Sequence, residues 1–185
     1  MTKEAIRLAA LKRFAEQGYD ATSMAEIAGD VGIKAPAIYA HFKGKTELFL
    51  ELAHRVFAKE LEYTRQFLSE NAQSENGLFH FLRDVGPRFE STPDLRFMLG
   101  VYYLPPPKVS GQLVPILEAY NTDREILVND LFKRLPPCRV PPEQLASAYL
   151  GIMDSIQAEI LYGGMEKFRN RLDALWGLLR LALER

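Results

Sequence analysis

The sequence predicts an all-α fold of about nine helices, because apolar residues recur at spacings of three and four along most of the chain. Glycine and proline interrupt these runs at intervals that suit the ends of helices. No stretch alternates apolar and polar residues as a half-buried strand would. With 185 residues, of which 48% are hydrophobic and 25% charged, the chain is long enough to bury a substantial core.

The first helix is predicted from about Lys3 to Gln17, with Ile6, Ala10 and Phe14 on its buried face. Gly18 follows as its stop, since glycine is the usual residue just past a helix end. Charged residues interrupt the apolar ones throughout, which indicates an amphipathic helix rather than a secretion signal.

A second, short helix is predicted to begin after Ser23. Ser23 and Glu26 have the S-x-x-E spacing of a capping box, in which each side chain satisfies an amide left open at a helix start. Gly32 is expected to end the helix in a left-handed conformation. The buried face consists of Met24, Ile27, Ala28 and Val31.

A third helix is predicted over Ala35 to Phe42, with a proline in its first turn, where a missing N–H costs nothing. Ile38 and Phe42 are four residues apart and are expected to face inward. The outward positions are Pro36, Ala37 and Ala40, with Tyr39 on the flank and Lys34 at the N-terminal tip. Two short helices joined by a tight glycine turn form the geometry that places a recognition helix in the major groove of DNA.

The remaining chain is predicted to be helical. The predicted helices are about Lys45–Glu70, Leu78–Phe89, Thr92 to just before Pro105, Gln112–Leu135, Glu143–Tyr162 and Glu166–Leu183. Gly86-Pro87 is expected to kink or end the helix that contains it, because proline removes a backbone donor.

The segment from residue 14 to residue 48 carries a long motif with fixed spacing. Its members are Phe14, Gly18, Tyr19, Thr22, Ser23, Ile27, Ala28, Gly32, Ile33, Tyr39, His41, Phe42, Lys45 and Leu48. In this pattern the segment resembles the N-terminal domain of the TetR family of bacterial transcriptional regulators. The resemblance implies a three-helix helix-turn-helix DNA-binding domain over residues 1–46. It also implies a helical ligand-binding and dimerisation domain over residues 47–185.

The function implied by the resemblance is that of a cytoplasmic, ligand-responsive regulator. This regulator is expected to be a repressor that binds palindromic double-stranded operator DNA as a homodimer and is released by a small apolar or aromatic effector. The expected DNA contacts are Thr22, Ser23, Lys34, Ala35, Pro36, Ala37, Tyr39, His41 and Lys45.

These expected DNA contacts divide between the DNA backbone and the bases. Thr22, Ser23, Tyr39, His41 and Lys45 are the positions that the resemblance assigns to phosphate contacts. The tip lysine is suited to guanine, and the alanines of the third helix to thymine methyl groups. The sequence departs from the family pattern at Lys34, where a capping Ser or Thr is common, and at Pro36, where a small residue is common. With no Arg, Asn or Gln on this face, operator choice is expected to depend in part on DNA shape.

Two further sites are predicted in the rest of the chain. The resemblance implies an effector cavity among the aromatic residues of the middle, with Phe89, Phe97, Tyr102, Tyr103 and Tyr120 as candidates. The alternative is that these rings are ordinary core. The last two helices each have a wide apolar face. Their expected dimer interface consists of Tyr149, Ile152, Ile156, Ile160, Leu172, Leu175, Trp176 and Leu179. The alternative here is burial within one subunit.

The charge and composition of the chain limit which other classes of function are possible. The net charge is −1, and residues 1–60 carry nine Lys and Arg against eight Asp and Glu, so any phosphate-binding surface must be local. A single cysteine, Cys138, excludes an internal disulfide and suits the cytosol. No apolar run approaches the roughly 20 residues of a membrane-spanning helix.

An enzyme is the main rival class, because Glu51 and His54 form the E-x-x-H pair of di-iron helical bundles. Such sites need two of these pairs with additional carboxylates, and neither His41 nor His80 follows a glutamate by three residues. No catalytic constellation, metal site or cofactor is therefore predicted. A second rival stays open, a helical protein-interaction module whose helix-turn-helix no longer binds DNA.

Overall fold

The computed structural model describes residues 2–71 and 75–184, and these form nine α-helices without a β-strand. The helices are α1 (Lys3–Ala21), α2 (Met24–Asp30), α3 (Ala35–Ile38), α4 (Lys45–Asn71), α5 (Glu75–Ser91), α6 (Pro93–Tyr103), α7 (Ser110–Arg134), α8 (Pro142–Tyr162) and α9 (Gly164–Leu183). None of these described helices combines the length and the hydropathy needed to cross a bilayer. The predicted all-α class is confirmed.

The chain divides into two compact units. The first comprises Met1–Lys59 and Ser91–Glu118, and the second comprises Glu60–Glu90 and Ala119–Arg185. The first unit therefore contains α1, α2, α3, α6 and parts of α4 and α7. The predicted functional boundary after residue 46 falls inside this unit, because the short N-terminal helices pack on more of the chain than their own sequence neighbours.

The core of the first unit joins three helices through aromatic rings. Phe14 of α1 meets Phe49 of α4 edge-on, with ring centroids 5.0 Å apart. Phe49 in turn meets Phe97 of α6 at 5.2 Å. All three rings are buried. The helix-turn-helix is thus built on α6 as well as on the start of α4.

The second unit has its own core, centred on α8 and α9. Tyr149 of α8 is completely buried, and its hydroxyl donates to the carbonyl of Leu78 in α5 at 2.9 Å. The same ring packs against Phe132 of α7 at 5.5 Å between centroids. Desolvation in this position raises the pKa of Tyr149 well above its ordinary value.

Helix α5 does not end at Gly86-Pro87 but continues through Pro87 to Ser91, and the alternative expectation, a kink at this point, stays a prediction. A Cβ on Gly86 would lie 2.8 Å from Cε of Met165 and 2.9 Å from Cε1 of Phe168. The glycine therefore allows α9 to approach α5 closely. We attribute the continuity of α5 to this packing, which supports the helix where proline removes a hydrogen bond.

Helix α3 is also shorter than predicted and ends at Ile38 instead of Phe42. The amides of Ala40 and His41 donate to the carbonyls three residues before them, at 3.3 and 3.0 Å. These tighter turns end the α-helical geometry. Phe42 nevertheless points inward as expected and is almost completely buried.

Candidate nucleic-acid interface

The start of α2 is held by the predicted capping box. The amide of Glu26 donates to Oγ of Ser23 at 3.2 Å, and the amide of Ser23 donates to Oε2 of Glu26 at 2.8 Å. The Ser23 hydroxyl also donates to the same carboxylate at 2.7 Å. These hydrogen bonds from Ser23 lower the pKa of Glu26 and keep it ionised next to the positive end of the helix.

The turn between α2 and α3 depends on Gly32, whose φ of 71° lies in the left-handed region. The amide of Gly32 donates to the Gly29 carbonyl at 3.0 Å, and that of Ile33 to the Ala28 carbonyl at 2.9 Å. This pair of hydrogen bonds is a Schellman motif, which satisfies the last carbonyls of α2. The predicted role of Gly32 is confirmed.

The outward face of α3 is exposed as the sequence predicts. Lys34, Pro36, Ala37 and Ala40 are exposed, and 54% of Tyr39 is accessible. Ala35 is half-buried. Lys34 precedes the helix without a side-chain cap, and its ammonium group has no ion-pair partner within residues 2–71 and 75–184. The face combines one free cation, one phenol and small apolar groups, which suits contact with DNA phosphates and thymine methyl groups.

Thr22 does not belong to this exposed face, contrary to expectation. Its side chain is only 1% exposed, and its hydroxyl donates to the carbonyl of Gly18 at 2.9 Å. Gly18 has φ 76° and ψ 179°, a conformation open essentially only to glycine, and it bends the chain at the end of α1. Thr22 therefore stabilises this bend, and its contact with a phosphate stays a prediction.

The ammonium group of Lys45 is hydrogen-bonded to backbone carbonyls of the protein itself, and its predicted contact with a phosphate stays a prediction. Nζ donates to the carbonyls of Tyr19 at 2.6 Å and Thr22 at 2.8 Å. It also lies 4.3 Å from the centre of the Tyr19 ring. The first residue of α4 therefore binds the end of α1 and the start of α2 together. The charged group of Lys45 thus stabilises the helix-turn-helix through hydrogen bonds within the protein.

The other predicted phosphate contacts remain near the surface. Ser23 is exposed although its hydroxyl is engaged with Glu26, and His41 is half-buried. Lys43 is exposed, and its backbone amide donates to the Glu47 carboxylate at 2.5 Å. Lys34, Ser23, Tyr39 and His41 are thus the predicted contacts that the structure leaves accessible, and Lys43 is a further exposed lysine close to them in the sequence.

Ion pairs that the sequence analysis missed fix α1 against its neighbours. Arg13 of α1 binds Asp30 of α2, with Nη2 2.8 Å from Oδ1, and Nη1 lies 3.2 Å from Oε1 of Glu26. The hydrogen bond from Arg13 lowers the pKa of Asp30. Asp20 similarly binds Lys108 at 2.6 Å, and this hydrogen bond lowers the pKa of Asp20. Such pairs lack any local sequence signal, because their members are far apart in the chain.

The E-x-x-H pair on α4 also has a structural explanation. Nε of Arg7 donates to Glu51 at 2.5 Å, and Nζ of Lys3 lies 3.1 Å from the same carboxylate. His54 is exposed. Glu51 therefore joins α4 to α1. Among residues 2–71 and 75–184, no group of three or more His, Cys, Asp or Glu side chains is arranged to hold a metal ion.

The predicted effector residues are distributed over both units. Phe97, Tyr102 and Tyr103 lie in the first unit, and Phe89 and Tyr120 in the second. Phe97 is a core residue of the helix-turn-helix support. Tyr102 packs against Phe57 and Tyr103, with ring centroids 6.4 and 4.9 Å apart. Tyr120 is buried, and Phe89 is half-buried. Their role in binding an effector stays a prediction.

The predicted dimer residues are mostly used inside one protomer. Leu175 is half-buried, and the seven others, Tyr149, Ile152, Ile156, Ile160, Leu172, Trp176 and Leu179, are buried. Tyr149 is completely buried in the second unit, where its hydroxyl donates to the Leu78 carbonyl. A groove of about 580 Å³ opens between α8 and α9, and three of the predicted dimer residues, Ile152, Leu175 and Leu179, line it. Among its lining residues are Ala148, Gly151, Ser155, Leu175, Leu178 and Ala182.

Sequence comparison supports the assignment of the N-terminal helices. Residues 6–52 match the family model of bacterial regulatory proteins, tetR family. The HTH-type transcriptional regulator AcrR of Shigella flexneri is 40% identical over 70 residues, which cover 36% of this chain and 33% of that protein. The HTH-type transcriptional repressor ComR of Escherichia coli is 29% identical over 137 residues, covering 72% of this chain and 65% of ComR. The chain therefore spans less than two thirds of these relatives.

Structural comparison extends the similarity along the whole chain. The crystal structure of AibR in complex with isovaleryl coenzyme A and operator DNA superposes with a TM-score of 0.65. The match covers 95% of this chain and 96% of AibR at 18% identity. At this identity the comparison establishes the fold, including the helices that follow the N-terminal motif.

Proposed function

Because residues 6–52 match the family model of bacterial regulatory proteins, tetR family, we propose that this chain is a ligand-responsive transcriptional repressor of the TetR family. It binds palindromic operator DNA as a homodimer in the cytoplasm, and a small apolar or aromatic effector releases it. The observation that carries this proposal is the exposed face of α3. Lys34, Pro36, Ala37 and Tyr39 are presented outward by a capped α2, a glycine turn and the Lys45 contacts.

The DNA contacts follow from what this face offers. Tyr39 and Lys34 contact phosphates or base edges, and the alanines meet thymine methyl groups. Ser23 lies at the N-terminus of α2, where backbone amides and the helix dipole favour a phosphate. Because the face carries few hydrogen-bonding side chains, operator choice depends strongly on DNA shape and half-site spacing.

Dimerisation is required because one such face gives too few contacts for a specific site. A two-fold dimer presents two copies of α3 to half-sites about one helical turn apart. We assign the dimer contact to the groove between α8 and α9, since small residues line α8 there and Leu178 is 67% exposed. An effector that binds only one arrangement of the dimer shifts the population towards that arrangement. In it, the two helix-turn-helix domains no longer match the spacing of the operator half-sites.

The test is fluorescence anisotropy on the intergenic DNA upstream of the chain's own gene, with scrambled DNA as reference, across a salt series. We expect sequence-preferring binding that weakens steeply with salt, because phosphate contacts release counterions. Lys34→Ala is expected to weaken binding and, if it contacts a phosphate, to reduce the salt slope by about 1. Lys133→Ala removes an exposed lysine of α7 and serves as the matched control.

Two outcomes would contradict the proposal. Equal binding of both DNAs, followed by failure of a genome-wide site selection, would favour a protein-interaction module whose helix-turn-helix no longer binds DNA. Equal losses of operator affinity for Lys34→Ala and Lys133→Ala would show that α3 is not the helix that recognises the operator. Activation instead of repression in a reporter assay would leave DNA binding intact and change only the regulatory sign.

A further inference from the structure

A cavity of about 200 Å³, open to solvent on the side of the exposed Leu104, lies in the first unit against α1, α4 and α6. Aromatic rings from all three helices line it, namely Phe14, Tyr19, Phe49 and Phe97. Gly18, Gly100 and Leu104 contribute to the remaining wall. Of its lining residues, all of which are described, Arg96 alone is charged.

We propose that this cavity is a binding site for a small uncharged monocyclic aromatic compound, and of the predicted effector residues only Phe97 lines it. An apolar cavity of about 150 Å³ accepts benzene, so the present volume accommodates a benzene ring with one small substituent. The aromatic rings of the cavity wall already contact one another edge to face. Phe14 meets Phe49 at an interplanar angle of 89°, and Tyr19 meets Phe49 at 74°. A further ring gains the same edge-to-face contacts.

Besides the three phenylalanine rings that support the helix-turn-helix, the cavity wall includes Tyr19 and Gly18, which are bonded to residues that hold α2. The Tyr19 and Thr46 hydroxyls are hydrogen-bonded at 2.7 Å, and the Tyr19 carbonyl accepts from Lys45. The carbonyl of Gly18 accepts from the Thr22 hydroxyl immediately before α2. An occupant therefore contacts the residues that position α2. Its effect on DNA binding rests on the proposed function, whereas its binding does not.

Binding is tested with toluene on the full-length protein in the absence of DNA. The methyl groups of Ala15, Val101 and Leu104 line the cavity and report directly in a ¹³C-methyl NMR titration. We expect saturable shifts of these signals and a rise in melting temperature, since a ligand of the folded state stabilises it by mass action. The absence of shifts at saturating toluene would overturn the site.

Gly100→Leu fills the cavity from α6, because a Cβ at this position meets no atom within 4 Å. It is expected to weaken toluene binding at least tenfold. Gly111→Leu is the matched control, a helical glycine with equally open surroundings that does not line the cavity. If Gly100→Leu fails to fold, Ala15→Leu fills the space from α1. Unchanged toluene affinity in a folded cavity-filling variant would show that the ligand binds elsewhere.

The regulatory effect is measured by repeating the operator titration with toluene. We expect the operator affinity of the wild type to change at least threefold and that of Gly100→Leu to stay constant. By linkage, operator DNA changes toluene affinity by the same factor. A constant wild-type affinity would overturn the regulatory role. Failure of the wild type to bind any operator would contradict the proposed function instead, while the methyl shifts still decide the site.

Discussion

Lys45 shows that a residue of a motif can make structural contacts within the protein. Its spacing in the family motif made it a predicted phosphate contact, yet its ammonium group binds the carbonyls of Tyr19 and Thr22. Residues more than twenty positions apart meet there, and a motif records only the position of each member. Spacing identifies which residues matter, but the direction of a side chain depends on tertiary packing.

The two roles of Lys45 predict different mutant behaviour. Because hydrogen bonds to a charged group contribute about 1.5–3 kcal/mol each, Lys45→Ala is expected to lower the free energy of unfolding by a comparable amount. Urea denaturation monitored by circular dichroism measures this loss. Lys43→Ala is the control, since its side chain is exposed. A fully stable Lys45→Ala protein with reduced operator affinity would restore the phosphate-contact interpretation.

Thr22 and Ser23 are adjacent and were predicted together, but the structure separates them. Ser23 faces solvent at the start of α2, whereas Thr22 faces the bend at Gly18. Neighbouring residues at a helix start point in different directions, so their shared presence in a motif does not give them a shared role.

At the scale of the element, α2 is well determined by local sequence. Its capping box and its glycine stop were both predicted and both are present, because these devices involve residues within a few positions of each other. Helices α3 and α5 were predicted less accurately. Helix α3 ends in tighter turns and is followed by the buried Phe42, and α5 packs closely on α9 at Gly86, so both regions involve contacts that are not local in sequence.

The turn after α2 gives a backbone prediction with an internal control. Gly32→Ala places a Cβ at φ 71° in open space, so it is expected to cost about 1–2 kcal/mol of stability through backbone strain alone. Gly29→Ala lies within α2, also in open space, and is expected to stabilise by about 0.5–1 kcal/mol. Thermal unfolding of both variants measures the contrast. Equal effects would contradict a left-handed requirement at Gly32.

The capping box also predicts a pH dependence. The pKa of Glu26 is lowered by its hydrogen bonds with Ser23, so its contribution to stability is fully present above the unfolded pKa. That contribution is lost as the pH falls through the lower, folded pKa. Glu26→Gln is therefore expected to be less stable than the wild type at pH 7 and to lose less stability on acidification.

Chemical denaturation from neutral to acidic pH tests this expectation. Glu16→Gln is the control, because Glu16 is exposed and makes no hydrogen bond among the described residues. Parallel pH profiles for the wild type and Glu26→Gln would show that the carboxylate is not linked to folding.

At the scale of the whole molecule, the sequence predicted apolar helices correctly but not the partner of each apolar face. The eight predicted dimer residues follow a helical period, and periodicity is the same for a face buried by its own chain or by a second copy. Most of them are buried in the single chain, while Ile152, Leu175 and Leu179 also line the accessible groove between α8 and α9. Small residues at Ala148, Gly151 and Ser155 mark the face that remains accessible on α8.

The assembly is testable with a single charge. Leu178→Glu is expected to convert the dimer to a monomer, because an uncompensated carboxylate at an apolar contact loses its hydration. Sedimentation velocity gives the oligomeric state, and circular dichroism confirms that the helices persist. Leu8→Glu is the control, since Leu8 is 61% exposed and lies on α1. A dimeric Leu178→Glu protein would contradict the assignment of the α8–α9 groove.

The aromatic contact between Phe14, Phe49 and Phe97 has a consequence for building hybrid regulators. A chimera that joins residues 2–46 of this chain to the body of a different regulator would place Phe14 opposite a foreign α4 and α6. The transplanted helix-turn-helix domain would then lack the aromatic rings against which it packs. A functional exchange of specificity therefore has to carry Phe49 and Phe97 along with α1 to α3, although the second ring lies far downstream in the sequence.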